Sequence, residues 1–432
     1  MGSTHFIDES EKHMNKLLAA ATLSTLLSSI NASAAGPSVE QQIEVLMQEI
    51  EALKAQVAKS EQGNHSSGIQ SLADRTTIGG YGELHYNNFR GDVPAGKTLK
   101  KDEVDFHRFV LFFGHKFNDW ISLKAELEVE HALTKGGGSG GNGGGGGEVE
   151  LEQAYLDFNI NKHANVKTGV FLIPLGILNE THEPPTFYGV ERNIVESRII
   201  PATWWEAGVG VYGEVFEGLN YQVSATSGLD AGKFKADFSN GVRDGRRKVN
   251  EAVAENIAFS GALNYTGVPG LLVGGAVFTG ETGQDGKSDA DLARVDARLT
   301  IWDMHARYQR DRLDLRALYA QGHLSDANKI KTATGINAAE RFYGWYGEAA
   351  YHVWKQGDHD VAPFIRYEKW DTHAEVPSNV ARITTNRNHV WTVGVNYQPH
   401  PQVVLKGDYQ KYDQPDGDKG DKSLNLGMGY MF

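Results

Sequence analysis

The chain repeats one pattern from residue 76 to its end, an alternation of apolar and polar side chains in successive runs. In the run from Ile121 to Glu130, apolar residues take every second position, and Ser, Lys and Glu take the positions between them. Because successive side chains of a β-strand point to opposite faces, this run predicts a strand with one apolar face. A soluble sheet with one wet face would show the same run, so the repetition and the connections must decide the architecture.

Sixteen candidate strands can be assigned between residue 76 and the C-terminus. They are 76–88, 103–117, 120–133, 148–160, 165–174, 204–216, 218–228, 254–267, 270–281, 291–309, 312–323, 341–355, 360–371, 387–398, 402–412 and 423–432. Their connections alternate between short turns, such as Asn118–Asp119 and Arg310–Asp311, and long loops, such as 175–203 and 229–253. An even number of strands with short turns at one end and long loops at the other is typical of bacterial outer-membrane barrels. We therefore expect an all-β fold, an antiparallel transmembrane β-barrel spanning 76–432.

The C-terminus and the composition agree with a barrel. Counting back from Phe432, every second residue to Leu424 is apolar, and the chain stops on that aromatic side chain. The mean hydropathy of −0.42 is like that of a soluble protein, which alternating strands also produce. The net charge is −13 with no basic stripe, which argues against nucleic-acid binding. The absence of cysteine excludes disulfides and thiolate metal sites.

Tryptophans near the predicted strand ends fit the aromatic girdles of a membrane interface, because an indole ring is half apolar and half wet. These residues are Trp120, Trp204, Trp205, Trp354 and Trp370. Three others, Trp302, Trp345 and Trp391, have no clear position in the pattern.

Residues 1–34 are expected to be a leader with a secretory signal peptide that starts at Met14. Lys16 gives a short positive region, Leu17–Ile30 an apolar region, and Ala32-Ser33-Ala34 a small-residue cleavage site. The apolar region is too short to span a bilayer. The alternative is a buried apolar helix.

Residues 35–57 are expected to form a coiled-coil helix in the periplasm, followed by a linker over 58–75. Apolar residues recur there at spacings of four and three, at Val39, Ile43, Leu46, Ile50, Leu53 and Val57. This is the seam of a short coiled coil, which three chains held together by their barrels would stabilise. The alternative is a lone amphipathic helix that rests on the barrel.

Three stretches after Val104 have a distinctive sequence: the turn Asn118-Asp119-Trp120, the strand exit from Gly169 through Phe171 to Pro174, and the loop from Glu191-Arg192 to Gly208-Val209-Gly210. In these stretches, and from Val104 onward, the chain resembles the phosphate-selective porin O and P family in its wide sense. The N-terminal signal and coil also fit that group. The resemblance implies a trimeric sixteen-stranded barrel in the outer membrane, with its third external loop folded into the lumen.

The third loop, 175–203, has the composition of an ordered segment, because Pro184 and Pro185 stiffen the backbone and mixed charges follow. We expect this loop to narrow the pore; the alternative is that it only covers the barrel mouth. The candidate constriction residues are Glu183, Glu191, Arg192, Glu196 and Arg198.

Charges of both signs are predicted along the pore. Three arginines are assigned to the inner wall, Arg307, Arg316 and Arg366. The second hairpin has an acidic mouth, in which Glu126, Glu128 and Glu130 face Glu148, Glu150 and Glu152 and would attract cations or bridge divalent ions. The fourth outer loop carries a basic cluster, Arg243, Arg246, Arg247 and Lys248. The resemblance implies that basic residues line the constriction in phosphate-specific members. No basic triplet of this kind can be assigned to the third loop here.

The predicted function is passive diffusion of small hydrophilic solutes or ions, with anions such as phosphate among the candidates. No enzyme, cofactor or metal site is expected: Asp303 and His305 share an inner face without a serine, His182-Glu183 lacks a second histidine at zincin spacing, and Asp358-His359-Asp360 reads as a solvated turn. The expected partners are outer-membrane lipid, lipopolysaccharide and further copies of the chain as a homotrimer, not nucleic acid. The alternatives are a tethering or adhesin-like barrel and, with less support, a barrel enzyme.

Overall fold

A computed structural model of the chain describes residues 74–90, 102–132, 147–413 and 421–432. The predicted leader, the predicted coiled coil and nearly all of the predicted linker lie outside these residues and stay predictions. No helix in the described ranges is both long and apolar enough to cross a bilayer.

The described strands form one closed antiparallel sheet in which each strand pairs with its neighbours in sequence and the last pairs with the first. The strands are β1 (Thr76–Arg90), β2 (Glu103–Lys116), β3 (Ile121–Glu130), β4 (Val149–Phe158), β5 (Asn165–Leu172), β6 (Trp205–Phe216), β7 (Leu219–Thr226), β8 (Ala258–Tyr265), β9 (Leu271–Glu281), β10 (Arg298–Arg310), β11 (Leu313–Leu324), β12 (Arg341–Tyr351), β13 (Trp354–Gln356), β14 (His359–Glu375), β15 (Arg387–His400), β16 (Val403–Asp413) and β17 (Lys422–Met431). Both β12 and the short β13 pair with β14, so they share one place in the barrel. The predicted sixteen-stranded antiparallel barrel is therefore confirmed.

The predicted strand bounds differ from the structure mainly at two places. The strand expected at 291–309 begins only at Arg298, because Ala290–Leu292 forms a 3-10 turn within the preceding loop. The strand expected at 341–355 is interrupted after Tyr351, where the side chain of His352 binds Asp360 at 2.7 Å. The alternation of apolar and polar residues in these two runs does not reveal where the strand starts late or is interrupted.

The barrel closes through its C-terminal residue. The amide of Phe432 donates to the carbonyl of Gly80 at 2.9 Å, and the amide of Gly80 donates to the carbonyl of Phe432 at 3.0 Å. Closure leaves no unpaired strand edge in the lipid, where an unsatisfied backbone group would be costly.

The outer face is apolar and the inner face is polar. Met304, Val393 and Leu426 are each more than half exposed on the outside. Trp345, Tyr367 and Trp391 form an outer aromatic row, with ring centroids 5.2 and 4.6 Å apart in order along the row. The prediction of interfacial tryptophans was wrong for three residues, since Trp204, Trp205 and Trp370 are buried. Trp204 and Trp370 pack with Ile199 and other third-loop residues in the main buried apolar cluster.

Two β-bulges place extra polar side chains on the inner wall. Between β1 and β2, Glu83 pairs with Arg108 but Leu84 pairs with Phe106, which leaves His107 as an extra residue. Between β3 and β4, Glu126 pairs with Gln153 but Leu127 pairs with Leu151, which leaves Glu152 as an extra residue. A bulge lets two consecutive side chains face the same side of a sheet.

Five of the long loops contain helical turns among the described residues, and the third, fourth and sixth loops are three of them. The third loop, 173–204 in the structure, holds a 3-10 turn at Pro184–Thr186 and the short helix α1 (Ile194–Arg198). The fourth loop, 227–257, holds a 3-10 turn at Arg243–Gly245. The sixth loop holds the helix α2 (Ala327–Thr334).

Candidate functional site

The third loop is organised around the carboxylate of Glu196. Its two oxygens accept hydrogen bonds from the amides of Ile177 (2.9 Å) and Leu178 (2.6 Å) and from the hydroxyl of Tyr346 on β12 (2.8 Å). The side chain of Asn193 donates to the same carboxylate and caps α1 by accepting from the amide of Glu196. Burial raises the pKa of this carboxyl group, which its hydrogen bonds partly offset.

Backbone groups of the third loop bind inner-face side chains from three strands of the C-terminal half of the chain. The amide of Val190 donates to Asp408 on β16 at 2.7 Å, and the amide of Ile194 donates to Glu368 on β14 at 2.6 Å. At the start of the loop, the amide of Gly176 donates to Asp303 on β10 at 3.0 Å. Lys406 on β16 donates to the carbonyls of Phe187 and Gly189, at 2.8 and 2.9 Å. These contacts place the loop against the inner wall on several sides of the lumen.

A cavity of about 140 Å³ lies where the third loop meets β1, β2 and the fourth loop, and we call it the central cavity. Its charged lining consists of Glu83, Glu191, Arg108, Arg192 and Arg243, and His85 and His107 complete the titratable groups. Three guanidinium groups therefore face two carboxylates, before either histidine is counted.

The carboxylates of the central cavity are already paired. Glu83 binds Arg108 at 2.7 Å and His85 at 3.2 Å. Glu191 binds the other ring nitrogen of His85 at 3.0 Å and accepts from the amide group of Asn87 at 2.9 Å. His85 thus links the third loop to the wall.

Two arginines of the central cavity lack such partners. In the described part of the chain, neither Arg192 nor Arg243 has a carboxylate oxygen within the 4.0 Å of an ion pair. Arg192 donates to the carbonyl of His182 at 3.1 Å, and Arg243 donates to the carbonyls of Ser197 (3.2 Å) and Ala202.

The fourth loop brings two arginines to the third loop. Arg246 donates to the carbonyls of Pro201 (3.1 Å) and Thr203, beside the carbonyls that Arg243 holds. Burial holds the pKa of Arg243 well below its ordinary value, and repulsion between guanidinium groups lowers it further. The groups that repel it are, in order of effect, Arg246, Arg192 and Arg108. The arginines thus form a region of positive potential.

A second cavity of about 250 Å³ lies on the other side of the third loop and contains two of the three predicted wall arginines. Arg307 and Arg316 both bind Asp314, at 2.8 and 3.0 Å, and Arg316 also donates to the carbonyl of Thr186 at 2.8 Å. The third predicted residue, Arg366, is buried and binds Glu348 at 3.3 Å and Glu368 at 2.8 Å. Arg366 therefore supports the loop and is not open to the second cavity.

The five candidate constriction residues occupy different environments. Glu191 and Arg192 line the central cavity. Glu183 precedes the 3-10 turn and contributes its carbonyl to it, at 2.9 Å from the amide of Thr186. Arg198 lies over the ring of Trp370, 5.7 Å from its centroid. Placing Glu196 at the constriction was wrong, because its carboxylate is buried inside the loop and fully hydrogen-bonded.

The acidic hairpin is not an open mouth. Glu128 pairs across the hairpin with Glu150 as expected, but Glu126, Glu128 and Glu152 are each at most 2% exposed. Arg108 binds Glu128 at 3.1 Å, and Lys248 of the fourth loop binds Glu150 and, at 2.9 Å, Glu148. The prediction of an exposed rim that attracts cations was therefore wrong, since loops cover most of these carboxylates. Glu148 and Glu130 stay nearer the surface.

Sequence reasoning missed Arg108, His85 and His107 as lining residues. Arg108 and His107 are consecutive, so simple alternation would put one of them in the lipid, and only the bulge turns both inward. The basic cluster of the fourth loop was noticed, but its contact with the third loop joins residues more than forty positions apart.

A closed antiparallel barrel with an apolar outer band, a polar inner wall and a loop packed inside its lumen is the architecture of an outer-membrane porin. Comparison with known proteins agrees. The family model for the phosphate-selective porin O and P family matches residues 78–432. An uncharacterized protein of Aquifex aeolicus (strain VF5) is 33% identical over 368 residues, which cover 82% of this chain and 79% of that protein.

Solved structures share the fold at low sequence identity. The anion-selective porin from Comamonas acidovorans has a TM-score of 0.52 at 14% identity, covering 83% of this chain and 99% of the porin. The outer-membrane channel DcaP of Acinetobacter baumannii has a TM-score of 0.51 at 14% identity, covering 83% and 97%. The chain belongs to the phosphate-selective porin O and P family, and it is an outer-membrane channel, not an enzyme.

Proposed function

We propose that this channel prefers anions and that the preference arises at the central cavity. The observation that carries the proposal is the pair Arg192 and Arg243, which line the cavity with no carboxylate in ion-pair range among the described residues. Arg246 lies close enough to repel Arg243 and adds to the positive potential.

Charge at a narrow place determines ion preference because low-dielectric walls focus the field into the water that remains. One unit charge acting on an ion about 4 Å away in water contributes about 1 kcal/mol. A free-energy difference of that size changes a partition ratio about fivefold. Three carboxylates of the acidic hairpin oppose this effect less strongly, because Arg108 binds Glu128 and Lys248 binds Glu148 and Glu150.

We further propose that oxyanions such as phosphate are preferred solutes. Membership in a family described as phosphate-selective supports this proposal. Guanidinium groups also support it, because their planar donors match the oxygens of phosphate in pairs.

The test is single-channel recording of the full-length protein in a planar bilayer under a KCl gradient. The wild type is expected to give a reversal potential of the sign for anions, and millimolar phosphate is expected to reduce the chloride current. Arg192→Gln and Arg243→Gln should each lower the anion-to-cation permeability ratio about fivefold.

The matched control is Arg198→Gln, which removes a charge from the same loop but from a site over Trp370, outside the central cavity. Its reversal potential should equal that of the wild type. A wild-type channel that prefers cations, or an Arg198→Gln shift as large as that of Arg192→Gln, would refute the assignment to the central cavity.

We also propose that the mature protein is secreted, that residues 35–57 form a periplasmic coiled coil and that three chains assemble. The apolar spacing from Val39 to Val57 and the family resemblance support these features. Deleting residues 38–60 separates two roles of the coil. Loss of trimers in the deletion variant would indicate that the coiled coil serves assembly. Intact trimers that detach from the inner layers of the cell envelope would indicate that it serves as a tether.

A further inference from the structure

Two glutamates and one histidine meet where the third loop contacts the β3–β4 hairpin. Nε2 of His182 lies 3.4 Å from a carboxylate oxygen of Glu152 and 3.6 Å from one of Glu126. The three ligand-type atoms all lie within 4.8 Å of one another, and all three residues are buried. The central cavity does not include any of them.

The polar atoms in this cluster are unsatisfied. His182 is 3% exposed and Glu152 is 0% exposed. Nε2 of His182, both carboxylate oxygens of Glu152 and Oε1 of Glu126 have no hydrogen-bond partner among the described residues. Buried polar atoms are rarely left without a partner, so carboxylate oxygens and an imidazole nitrogen that converge without hydrogen bonds indicate a cation site between them.

The neighbouring residues orient His182 as a metal ligand would be oriented. Its Nδ1 lies 3.0 Å from the carbonyl of Asn179, and because a carbonyl only accepts, Nδ1 carries the proton. A metal ion that displaces the proton from Nε2 would therefore meet its lone pair, on the ring edge that faces the carboxylates. Asn179 is itself held by the carbonyls of Ile173 and Trp204, at 2.7 and 2.9 Å. Metal-binding histidines usually show this outer hydrogen bond to a carbonyl or carboxylate.

The distances between the side chains fit a small tetrahedral ion. Bonds of about 2.0–2.2 Å from zinc to nitrogen or oxygen place two tetrahedral ligands about 3.3–3.6 Å apart. The two measured separations, 3.4 and 3.6 Å, match that edge. A direct hydrogen bond between an imidazolium and a carboxylate would be shorter, about 2.7–2.9 Å.

We propose that Glu126, Glu152 and His182 bind a divalent transition-metal ion of the zinc class, which fastens the third loop to the barrel wall. Two carboxylates and an imidazole neutralise the ion and suit its borderline softness. Glu152 also lies within 4.8 Å of the carboxylates of Glu128 and Glu150, which are therefore the candidates for a fourth ligand. The bulge at Glu152 is what brings this carboxylate to the ion.

The test uses the full-length protein in detergent, purified without chelator and then dialysed with Zn²⁺ or Co²⁺. We expect one equivalent of zinc per chain that survives buffer exchange. Co²⁺ in the same site should give intense visible absorption bands of the tetrahedral kind, which an octahedral surface-bound ion lacks.

Two variants and one control assign the site. Glu152→Gln and His182→Gln should bind zinc at least about tenfold more weakly and lose the cobalt bands. His163→Gln removes a histidine from an exposed periplasmic turn and should bind like the wild type. Mobility of unheated samples on a denaturing gel checks that each barrel is folded.

Three results would overturn the proposal. They are a folded wild type that retains no zinc, a wild-type cobalt spectrum without tetrahedral bands, and equal zinc binding by Glu152→Gln and His163→Gln. The wild-type spectrum decides alone if a variant does not fold. Lipid-bound calcium or magnesium does not interfere, because only zinc and cobalt are measured.

Discussion

At the scale of single residues, Glu191 shows how a charge can belong to the pore and to the scaffold at once. It lines the central cavity and also ties the third loop to β1 through His85 and Asn87. Burial raises the pKa of its carboxyl group, but the hydrogen bond and charge of His85 more than offset this and bring the pKa to about 2. The folded protein therefore favours the ionised form.

The sign of the pH effect follows from that shift. A carboxyl group whose pKa is depressed by folding stabilises the protein above its ordinary pKa, near 4.5, and loses that contribution as the pH falls towards 2. We expect Glu191→Gln to lower the temperature of thermal unfolding at pH 7 by a few degrees, with a difference from the wild type that shrinks between about pH 4.5 and pH 2.

Thermal unfolding in detergent, followed by circular dichroism at several pH values, measures this difference. The control is Glu217→Gln, which removes the same charge from an exposed turn between β6 and β7. A wild-type advantage over Glu191→Gln that grows in acid would contradict the assignment.

Single residues of the site were predictable only in part. Glu191 and Arg192 were found because a charged, proline-stiffened loop is visible in sequence. Glu196 was misplaced because nothing local distinguishes a carboxylate that faces water from one that accepts amide hydrogens of its own loop. Arg243 reaches the central cavity through a contact with the carbonyl of Ser197, which lies 46 residues earlier in the chain. No local pattern in the sequence encodes such a contact.

At the scale of elements, the strands were predictable because lipid imposes alternation on every one of them, whereas the bulges were not. A single extra residue interrupts the pattern for one position only, as at His107 and Glu152, and an average over a strand hides it. Each bulge adds a polar group to the wall at a place where the third loop or the central cavity meets it.

The bulge at His107 predicts an unusual tolerance to deletion. Without His107, Phe106 would still face the lipid and Arg108 the lumen, so the register of β2 against β1 becomes regular and the barrel should fold. β10 has no bulge at Met304 that could absorb a deletion. Deleting Met304 should therefore turn the residues on one side of the gap to the wrong face of the sheet.

Gel mobility of unheated outer-membrane fractions distinguishes the two deletions. Folded barrel is expected for the His107 deletion and little or none for the Met304 deletion. Equal loss of both proteins would show that the extra residue is required for the strand itself.

At the scale of the whole molecule, the number of strands and their order followed from the sequence, because a closed barrel permits only neighbour-to-neighbour pairing with short and long connections in turn. The filling of the lumen did not follow. It depends on which loop segments meet across the barrel, and the burial of Trp204 and Trp370 by loops shows how far strand-based reasoning misjudged it.

The proposed trimeric assembly makes a prediction about conductance. If three chains each carry a pore, channels from unheated protein should insert as single events and close in three equal steps at high voltage. Planar-bilayer recording measures these steps, and heat-dissociated, refolded monomer serves as the comparison. Independent single steps from unheated protein would contradict the trimer.

The position of the third loop also constrains the order in which the molecule is built. Val190 binds Asp408, a residue 218 positions later in the chain. The loop therefore cannot reach its final position until β10, β14 and β16 are in place, because Asp303, Glu368 and Asp408 lie on these strands. During biogenesis the barrel wall must therefore form before the third loop narrows the lumen. A barrel that stalls before this last step would be an open pore without ion selectivity.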